Sequence, residues 1–169
     1  MSETQNLISI VIPAFNAEHS ILKLCNEILK TFNNIKTEII IVNDCSPDKT
    51  HEECLKLSKE HPNKITYIKL SKNVGEHNAV MAGLKYSFGD WVIIMDDDFQ
   101  NPPSEALKLF NYANSNKFDV IYGDYSEKKH SFFRNLISRI NDSTANLILN
   151  KPRGLYLSSF KAVSKKIVK

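Results

Sequence analysis

The chain has 169 residues, of which 42% are hydrophobic and 24% are charged, a size and composition typical of one soluble globular domain. It contains no basic-then-apolar N-terminal signal and no apolar run of about 18 residues, so the sequence predicts neither secretion nor a membrane span. The three cysteines, Cys25, Cys45 and Cys54, are odd in number and lack C-x-x-C spacing, which predicts reduced thiols in a cytoplasmic protein.

Charge is divided unevenly along the chain. Residues 1–125 contain 12 Lys and Arg against 17 Asp and Glu, whereas residues 126–169 contain 10 Lys and Arg against 2 Asp and Glu. Such a basic segment indicates an anionic partner, namely a phosphate, a lipid headgroup or nucleic acid, although a solubilising tail is the alternative. Nucleic acid is disfavoured because the sequence gives no sign of aromatic side chains stacked along a basic groove.

Short apolar runs alternate with amphipathic segments over the first two thirds of the chain. Strands are predicted at Leu7–Ile12, Glu38–Val42, Ile65–Leu70, Trp91–Met95 and Asp119–Tyr122. Helices are predicted from a cap at Asn16 to about Phe32, and at Asp48–Glu60, Glu76–Ser87 and Pro102–Asn114. This alternation predicts an α/β fold with an open, mostly parallel twisted sheet and helices on both faces.

Beyond Gly123 the pattern changes. Residues Ser131–Leu149 form a predicted amphipathic helix with basic residues around it, and Leu155–Val163 is a predicted strand or turn. The helix suits the surface of an anionic membrane, or equally a helix packed on the core with a solvated basic face.

Three consecutive carboxylates, Asp96, Asp97 and Asp98, directly follow the fourth predicted strand. Ligand sites of parallel α/β sheets lie at the carboxyl ends of strands, and adjacent buried anions are costly unless they are paired. A hard cation such as Mg²⁺ or Mn²⁺ prefers carboxylate oxygens and shares its coordination with substrate phosphates. In an extended segment Asp96 and Asp98 point to one side and Asp97 to the other, which predicts a D-x-D metal and diphosphate site. The alternative is a solvated acidic turn before a helix.

A fourth carboxylate, Asp44, follows the second predicted strand, where it is placed to accept hydrogen bonds from a nucleobase or ribose. Asp44, Ser46 and Asp48 are equally suited to turn and helix-cap positions. The chain lacks G-x-G-x-x-G after its first strand, and it lacks the P-loop and the G-x-S-x-G pattern. Dinucleotide, P-loop and nucleophile-elbow sites are therefore unsupported.

Four motifs in order resemble family-two glycosyltransferases with the GT-A nucleotide-sugar fold. The chain reads PAFNAE at 13–18, VNDCSPD at 42–48, NVG at 73–75 with Gly89-Asp90, and MDDDFQNPP at 95–103. These are similar to that family's I-P-x-[YF]-N-x-E, V-[DN]-D-x-S-x-D, N-x-G…G-D and M-D-A-D-L-Q-x-P-P. The last motif resembles the polyprenyl-phosphate sugar transferases, the branch of dolichol-phosphate mannose synthase. Asp97 and Phe99 depart from that pattern, which has Ala and Leu there.

The resemblance implies a role for each matching residue. Pro13, Phe15, Glu18 and Asp44 would line the nucleotide pocket, with contributions from Asp96 and Asp97. Asp96, Asp98 and Gln100 would hold a Mg²⁺ or Mn²⁺ ion and the donor diphosphate. The branch implies a donor core at residues 7–125 and a basic acceptor-side segment of the same domain at 126–169. Members of the family usually continue further, so the chain is expected to be a fragment or a truncated member.

The resemblance implies inverting transfer of a sugar from a UDP- or GDP-sugar by direct displacement, with Asp96 and Asp98 at the reacting diphosphate. A polyprenyl-phosphate acceptor is already anionic and would be positioned by Lys128, Arg134 and Arg139, at the cytoplasmic face of a membrane. A glycan hydroxyl is the alternative acceptor and would need a general base, for which Asp124 and Glu127 are candidates. A catalytically silent nucleotide-sugar-binding fragment is the third hypothesis.

Overall fold

The computed structural model describes residues 6–116, 118–123 and 158–168. By its internal contacts the chain divides into two compact units, Met1–Ile121 with Ser159–Lys169, and Tyr122–Ser158. Nearly all of the second unit lies outside the described residues, as do the predicted helix at 131–149 and the first part of the predicted 155–163 strand. The first unit takes residues from both sides of position 125, and the predicted division into a donor core and an acceptor-side segment stays a prediction.

Five strands and four helices follow the predicted alternation. The strands are β1 (Ile8–Ala14), β2 (Thr37–Asn43), β3 (Ile65–Lys69), β4 (Trp91–Ile94) and β5 (Val120–Tyr122). The helices are α1 (Ile21–Thr31), α2 (Thr50–Glu60), α3 (Glu76–Lys85) and α4 (Pro103–Ser115). The chain then returns as β6 (Lys161–Ser164) and a short helix, α5 (Lys165–Val168).

The six strands form one sheet in the order β3-β2-β1-β4-β6-β5. β1 lies parallel to both β2 and β4, and β2 lies parallel to β3, whereas β6 runs antiparallel to β4. The prediction of a mostly parallel sheet is therefore confirmed. The insertion of β6 between β4 and β5 was not predicted, because a strand pairing between residues about 70 positions apart leaves no local signal.

Burial agrees with the positions of β1 and β2 inside the sheet, away from its edges. All seven residues of β1 are buried, as are the last five of β2, so these strands have covered faces on both sides. Helix α3 approaches one face closely at Gly83, where an added Cβ would stand 2.5 Å from Cγ1 of Val11. Glycine at this position lets the helix pack directly on β1, which places the start of α3 beside the carboxyl edge of the sheet.

The start of α1 differs from the prediction. Asn16 does not cap it: the residue has a φ of +57°, and the helix begins five positions later at Ile21. The N–H groups of the preceding loop are instead satisfied by side chains from the loop after β2 and the start of α2, with Asn16 donating to Ser46 Oγ and Ala17 to Thr50 Oγ1. Asparagine tolerates this left-handed conformation better than most residues, which is the physical reason for its position here.

Candidate functional site

A cavity of about 460 Å³ lies at the carboxyl ends of the central parallel strands. Its lining comes from the ends of β1, β2 and β4 and from the segment that leads into α3. The lining residues are Pro13, Ala14, Phe15, Asp44, Asn73, Gly75, Glu76, Asp96, Asp97 and Asp98. This is the edge at which open α/β sheets bind their ligands, so the parallel topology itself creates the site.

Six predicted site residues meet in this cavity. Pro13, Phe15, Asp44, Asp96, Asp97 and Asp98 all line it. Asp97 was expected to point away from its two neighbours, and that direction stays a prediction. Its carboxylate accepts a hydrogen bond from the N–H of Phe15, whereas that of Asp96 accepts one from Ser159. Strand β4 ends at Ile94, so the acidic residues belong to a turn rather than to an extended segment, and the alternation of a strand no longer applies.

Two other predicted residues lie beside the cavity without lining it. A carboxylate oxygen of Glu18 accepts a hydrogen bond from the backbone N–H of Lys49 at 3.0 Å. The backbone N–H of Gln100 donates to Oδ1 of Asp98 at 2.9 Å, which shapes the turn after β4. Their roles in binding nucleotide and metal stay predictions. Asp124, Lys128, Arg134 and Arg139 are outside the described residues, and so is Glu127.

Asp44 is 3% exposed, and both of its carboxylate oxygens hold the segment before α3. The backbone N–H of Val74 donates to Oδ1 and that of Gly75 donates to Oδ2, each at 2.8 Å. Gly75 has a φ of +87°, a conformation that residues with a side chain rarely adopt. Asp44 therefore fixes the wall of the cavity, in addition to any contact it makes with a ligand.

The first loop is held in a similar way by side chains from elsewhere. The backbone N–H groups of four successive residues, Phe15, Asn16, Ala17 and Glu18, donate respectively to Asp97 Oδ2, Ser46 Oγ, Thr50 Oγ1 and Asp48 Oδ2. The distances run from 2.8 to 3.3 Å. The loop that carries Phe15, whose side chain is 47% exposed at the cavity, is thus held in one conformation before any ligand arrives.

The acidic turn, residues 96–98, holds carboxyl groups whose surroundings oppose their ionisation. Burial raises the pKa of Asp97 to about 6, and the charges of Asp98 and Asp96 add to that effect against a hydrogen bond from Phe15. Burial also raises the pKa of Asp96, and Glu76 and Asp98 raise it further, whereas a hydrogen bond from Ser159 and the charge of Lys161 lower it. Nearby anions that oppose ionisation in this way are stabilised when a cation joins them.

The carboxylates at this turn fit a hard divalent cation. Within the part of the chain that the structure describes, no group of three or more His, Cys, Asp and Glu side chains is arranged to hold a metal by itself. Asp96 and Asp98 nevertheless line one cavity and present oxygen ligands. Mg²⁺ and Mn²⁺ suit such ligands, and Mg²⁺ commonly binds one or two carboxylates together with substrate phosphates.

Two residues at the site, Glu76 and Ser159, were not predicted to belong to the donor side. Ser159 falls within the 126–169 segment that was predicted to face the acceptor. Glu76, the first residue of α3, lines the cavity and influences Asp96 electrostatically. Ser159 donates its hydroxyl hydrogen to Oδ2 of Asp96 at 2.6 Å. Glu76 adjoins the NVG motif, which was a usable signal. Ser159 lies 63 positions from its partner, and only the pairing of β6 with β4 reveals the contact.

The sequence matches the glycosyl transferase family 2 over residues 9–169. An undecaprenyl-phosphate 4-deoxy-4-formamido-L-arabinose transferase from Pectobacterium atrosepticum is 34% identical over 155 residues, which are 90% of this chain and 46% of that protein. The enzyme of the same name from Photorhabdus laumondii is 32% identical over 163 residues, 95% of this chain and 50% of that one. The chain spans about half the length of these curated relatives.

Solved structures support the same fold. A mannosyltransferase from Pyrobaculum calidifontis, in complex with GDP-Man and Mn²⁺, matches with a TM-score of 0.69 at 16% identity, covering 95% of this chain and 45% of that one. Glucosyl-3-phosphoglycerate synthase from Mycobacterium tuberculosis, in complex with phosphoglyceric acid, matches with a TM-score of 0.68 at 18% identity, covering 96% and 58%. These similarities confirm the predicted GT-A fold, and with the family match they show that the chain belongs to glycosyl transferase family 2.

Proposed function

We propose that this chain forms the donor-binding part of a metal-dependent glycosyltransferase that moves a sugar from a nucleoside diphosphate to a polyprenyl phosphate. The observation that carries the proposal is that Asp96, Asp97 and Asp98 line the same cavity as Pro13, Phe15 and Asp44. This cavity combines an acidic edge, suited to a cation and diphosphate, with a wall suited to a nucleoside. The similarity to undecaprenyl-phosphate transferases supports the choice of acceptor.

Each part of the cavity has a chemical task in this proposal. Phe15 offers an exposed aromatic face to the nucleoside, and Asp44 keeps the opposite wall in place through Val74 and Gly75. Asp96 and Asp98 are the residues that would hold the divalent cation. When bound, the cation would stabilise the negative charge that develops on the departing diphosphate.

In this proposal, the acceptor is bound by the basic segment, residues 126–169. Lys128, Arg134 and Arg139 would pair with the phosphate of the lipid and align it for attack on the anomeric carbon with inversion. Such an acceptor needs positioning rather than deprotonation, because it is already ionised near neutral pH. Asp124 would act as a base only if the acceptor were a hydroxyl.

We also propose that the protein works at the cytoplasmic face of a membrane, where a lipid-linked acceptor is found. None of the helices within residues 6–116, 118–123 and 158–168 has the length and apolarity needed to cross a bilayer. The basic segment offers a means of peripheral contact, since anionic headgroups attract clustered Lys and Arg.

Calorimetric titration of the chain with UDP- and GDP-sugars, in Mn²⁺ and in EDTA, tests the donor side. We expect one nucleotide to bind in Mn²⁺ and to bind much more weakly in EDTA. Equal binding in both conditions would contradict the metal assignment, and binding of neither nucleotide would contradict the proposal as a whole.

Transfer of labelled sugar to polyprenyl phosphate tests the acceptor side. Metal-dependent donor binding without transfer to any acceptor would favour the alternative of a catalytically silent nucleotide-sugar-binding protein. Transfer to a glycan but not to the lipid phosphate would instead replace the proposed acceptor. Salt-sensitive binding to anionic liposomes, measured alongside, tests the membrane contact.

A further inference from the structure

The proposed function leaves open how Asp96 is held in a productive orientation. Asp96 follows β4 by two residues, in a turn where strand pairing no longer fixes the chain. Its carboxylate is largely buried and lies near two other acidic groups, Asp98 and Glu76, which repel it. Repulsion favours rotation of this carboxylate away from the other acidic groups. A metal ligand at this position therefore needs a hydrogen-bonding partner that fixes its orientation.

Antiparallel pairing brings that partner from the far end of the chain. Ile94 of β4 stands opposite Lys161 of β6, and because the strands run in opposite directions, the residue two after Ile94 meets the residue two before Lys161. These residues are Asp96 and Ser159. The Ser159 hydroxyl donates to Oδ2 of Asp96 at 2.6 Å, a distance typical of a strong bond to an ionised carboxylate.

We propose that Ser159 is a positioning residue that orients Asp96 toward the divalent cation of the proposed sugar transfer. One hydrogen bond uses one of about four lone-pair sites of the carboxylate, so the group keeps capacity for a metal. The bond also fixes rotation of the carboxylate about its terminal torsion, which is otherwise broad. This inference rests on the proposed function and adds to it a residue outside the four motifs of the donor site.

Strand β6 explains why the orientation is stable. Its residues from Ala162 to Ser164 are buried, and all four of its residues pair with β4. Ser159 is therefore attached to a strand within the sheet rather than to a separate surface loop. A hydrogen-bonding partner mounted on such an element holds its ligand more accurately than one on a mobile segment.

The test is a titration of Mn²⁺ into the whole chain in the presence of UDP or GDP, followed by calorimetry and by the electron paramagnetic resonance signal of free Mn²⁺. We expect Ser159→Ala to weaken Mn²⁺ binding about 10-fold, the lower end of the effect seen when a ligand's hydrogen-bond partner is removed. Ser159→Thr retains the hydroxyl and is expected to restore binding to within about 3-fold of the wild type.

The matched control is Ser164→Ala, which removes a serine from the other end of β6, opposite Trp91 and away from the acidic turn. It should leave Mn²⁺ binding unchanged. Ser159→Cys, nearly the same size but a weak donor, should bind Mn²⁺ more weakly than Ser159→Thr, which separates the hydrogen bond from side-chain volume. Thermal unfolding of every variant identifies any loss that comes from misfolding.

The outcomes are distinct. If the wild type binds no Mn²⁺ with either nucleotide, the proposed function fails and this inference fails with it. If the wild type binds and Ser159→Ala binds equally well, only the role of Ser159 is overturned. Equal weakening in the Ala and Thr variants would also overturn it, because the hydroxyl would then not be what matters.

Discussion

Two acidic loops at the same edge of the sheet use their carboxylates in opposite ways. Asp44, after β2, has both oxygens bonded to the backbone N–H groups of Val74 and Gly75. Asp96 and Asp97, after β4, accept hydrogen bonds from Ser159 and Phe15 respectively, and burial raises the pKa of each carboxyl. The first carboxylate is satisfied by the protein and supports the cavity. The second group keeps an excess of negative charge, which is what a cation-binding site requires.

The largest expected effect is the loss of sugar transfer when a carboxylate is removed from the loop after β4. We expect Asp98→Asn to reduce sugar transfer at least about 100-fold, since loss of a metal ligand removes several kcal/mol of charge stabilisation. The same variant should abolish Mn²⁺-dependent nucleotide binding in calorimetry.

The control for that variant is Asp90→Asn, which makes the same change of charge at the opposite end of β4. Asp90 accepts a hydrogen bond from the N–H of Leu7, and asparagine can still accept it. Transfer by Asp90→Asn should match the wild type. Equal losses in the two variants would mean that general charge, rather than position, is responsible.

A smaller effect is expected in the loop after β2, where both carboxylate oxygens of Asp44 accept hydrogen bonds. Asp44→Ala leaves the N–H groups of Val74 and Gly75 without their acceptor, and one such unsatisfied group costs roughly 1–3 kcal/mol of unfolding free energy. Asp44→Asn keeps one oxygen acceptor and should lose less. Chemical denaturation measures both. A change in nucleotide affinity with no change in stability would show that Asp44 acts mainly on the ligand.

The smallest expected effect depends on pH. The pKa of Asp97 rises from 3.8 to about 6 in the folded chain, so folding favours the protonated form. Its contribution to stability is complete below pH 3.8 and is lost as the pH rises through about 6. After allowance for its partial exposure, we expect a loss of about 1 kcal/mol between pH 5 and 7 without metal.

Denaturation in EDTA at several pH values measures that loss, with Asp97→Asn as the control. Asparagine cannot ionise and still offers an oxygen to Phe15, so the variant should show a flatter profile over this range. Added Mn²⁺ and nucleotide should oppose the loss, because a cation favours the ionised carboxylates. If the unfolding free energy of the wild type without metal rose between pH 5 and 7, ionised Asp97 would not be destabilising and the prediction would be wrong.

The sequence was informative wherever the signal is local. Apolar runs predicted β1 to β5, and the residues immediately after three of them predicted Pro13, Phe15, Asp44 and the acidic turn as neighbours. Parallel topology explains this success, because it collects the ends of separate strands at one edge. The direction predicted for Asp97 relied on strand geometry, and β4 ends three residues before it, so the direction stays a prediction.

Contacts that depend on register were beyond local reasoning. Ser159 reaches Asp96 only because β6 pairs with β4 in one particular alignment. Likewise, Asn16 is a residue type that often caps helices, but the observed arrangement depends on Ser46, from the loop after β2, and Thr50, at the start of α2. A cap or a hydrogen bond can be supplied by any suitable side chain nearby in space, and spacing along the chain does not identify which one.

The way in which the first loop is held has a consequence for phosphate recognition. Its amide groups from Phe15 to Glu18 are already engaged by Asp97, Ser46, Thr50 and Asp48. They cannot also form the ring of main-chain dipoles with which glycine-rich loops enclose a phosphate. The first loop therefore offers no free amide from Phe15 to Glu18 to a phosphate, and under the proposed function the charge of the diphosphate would be met by a cation at the turn after β4.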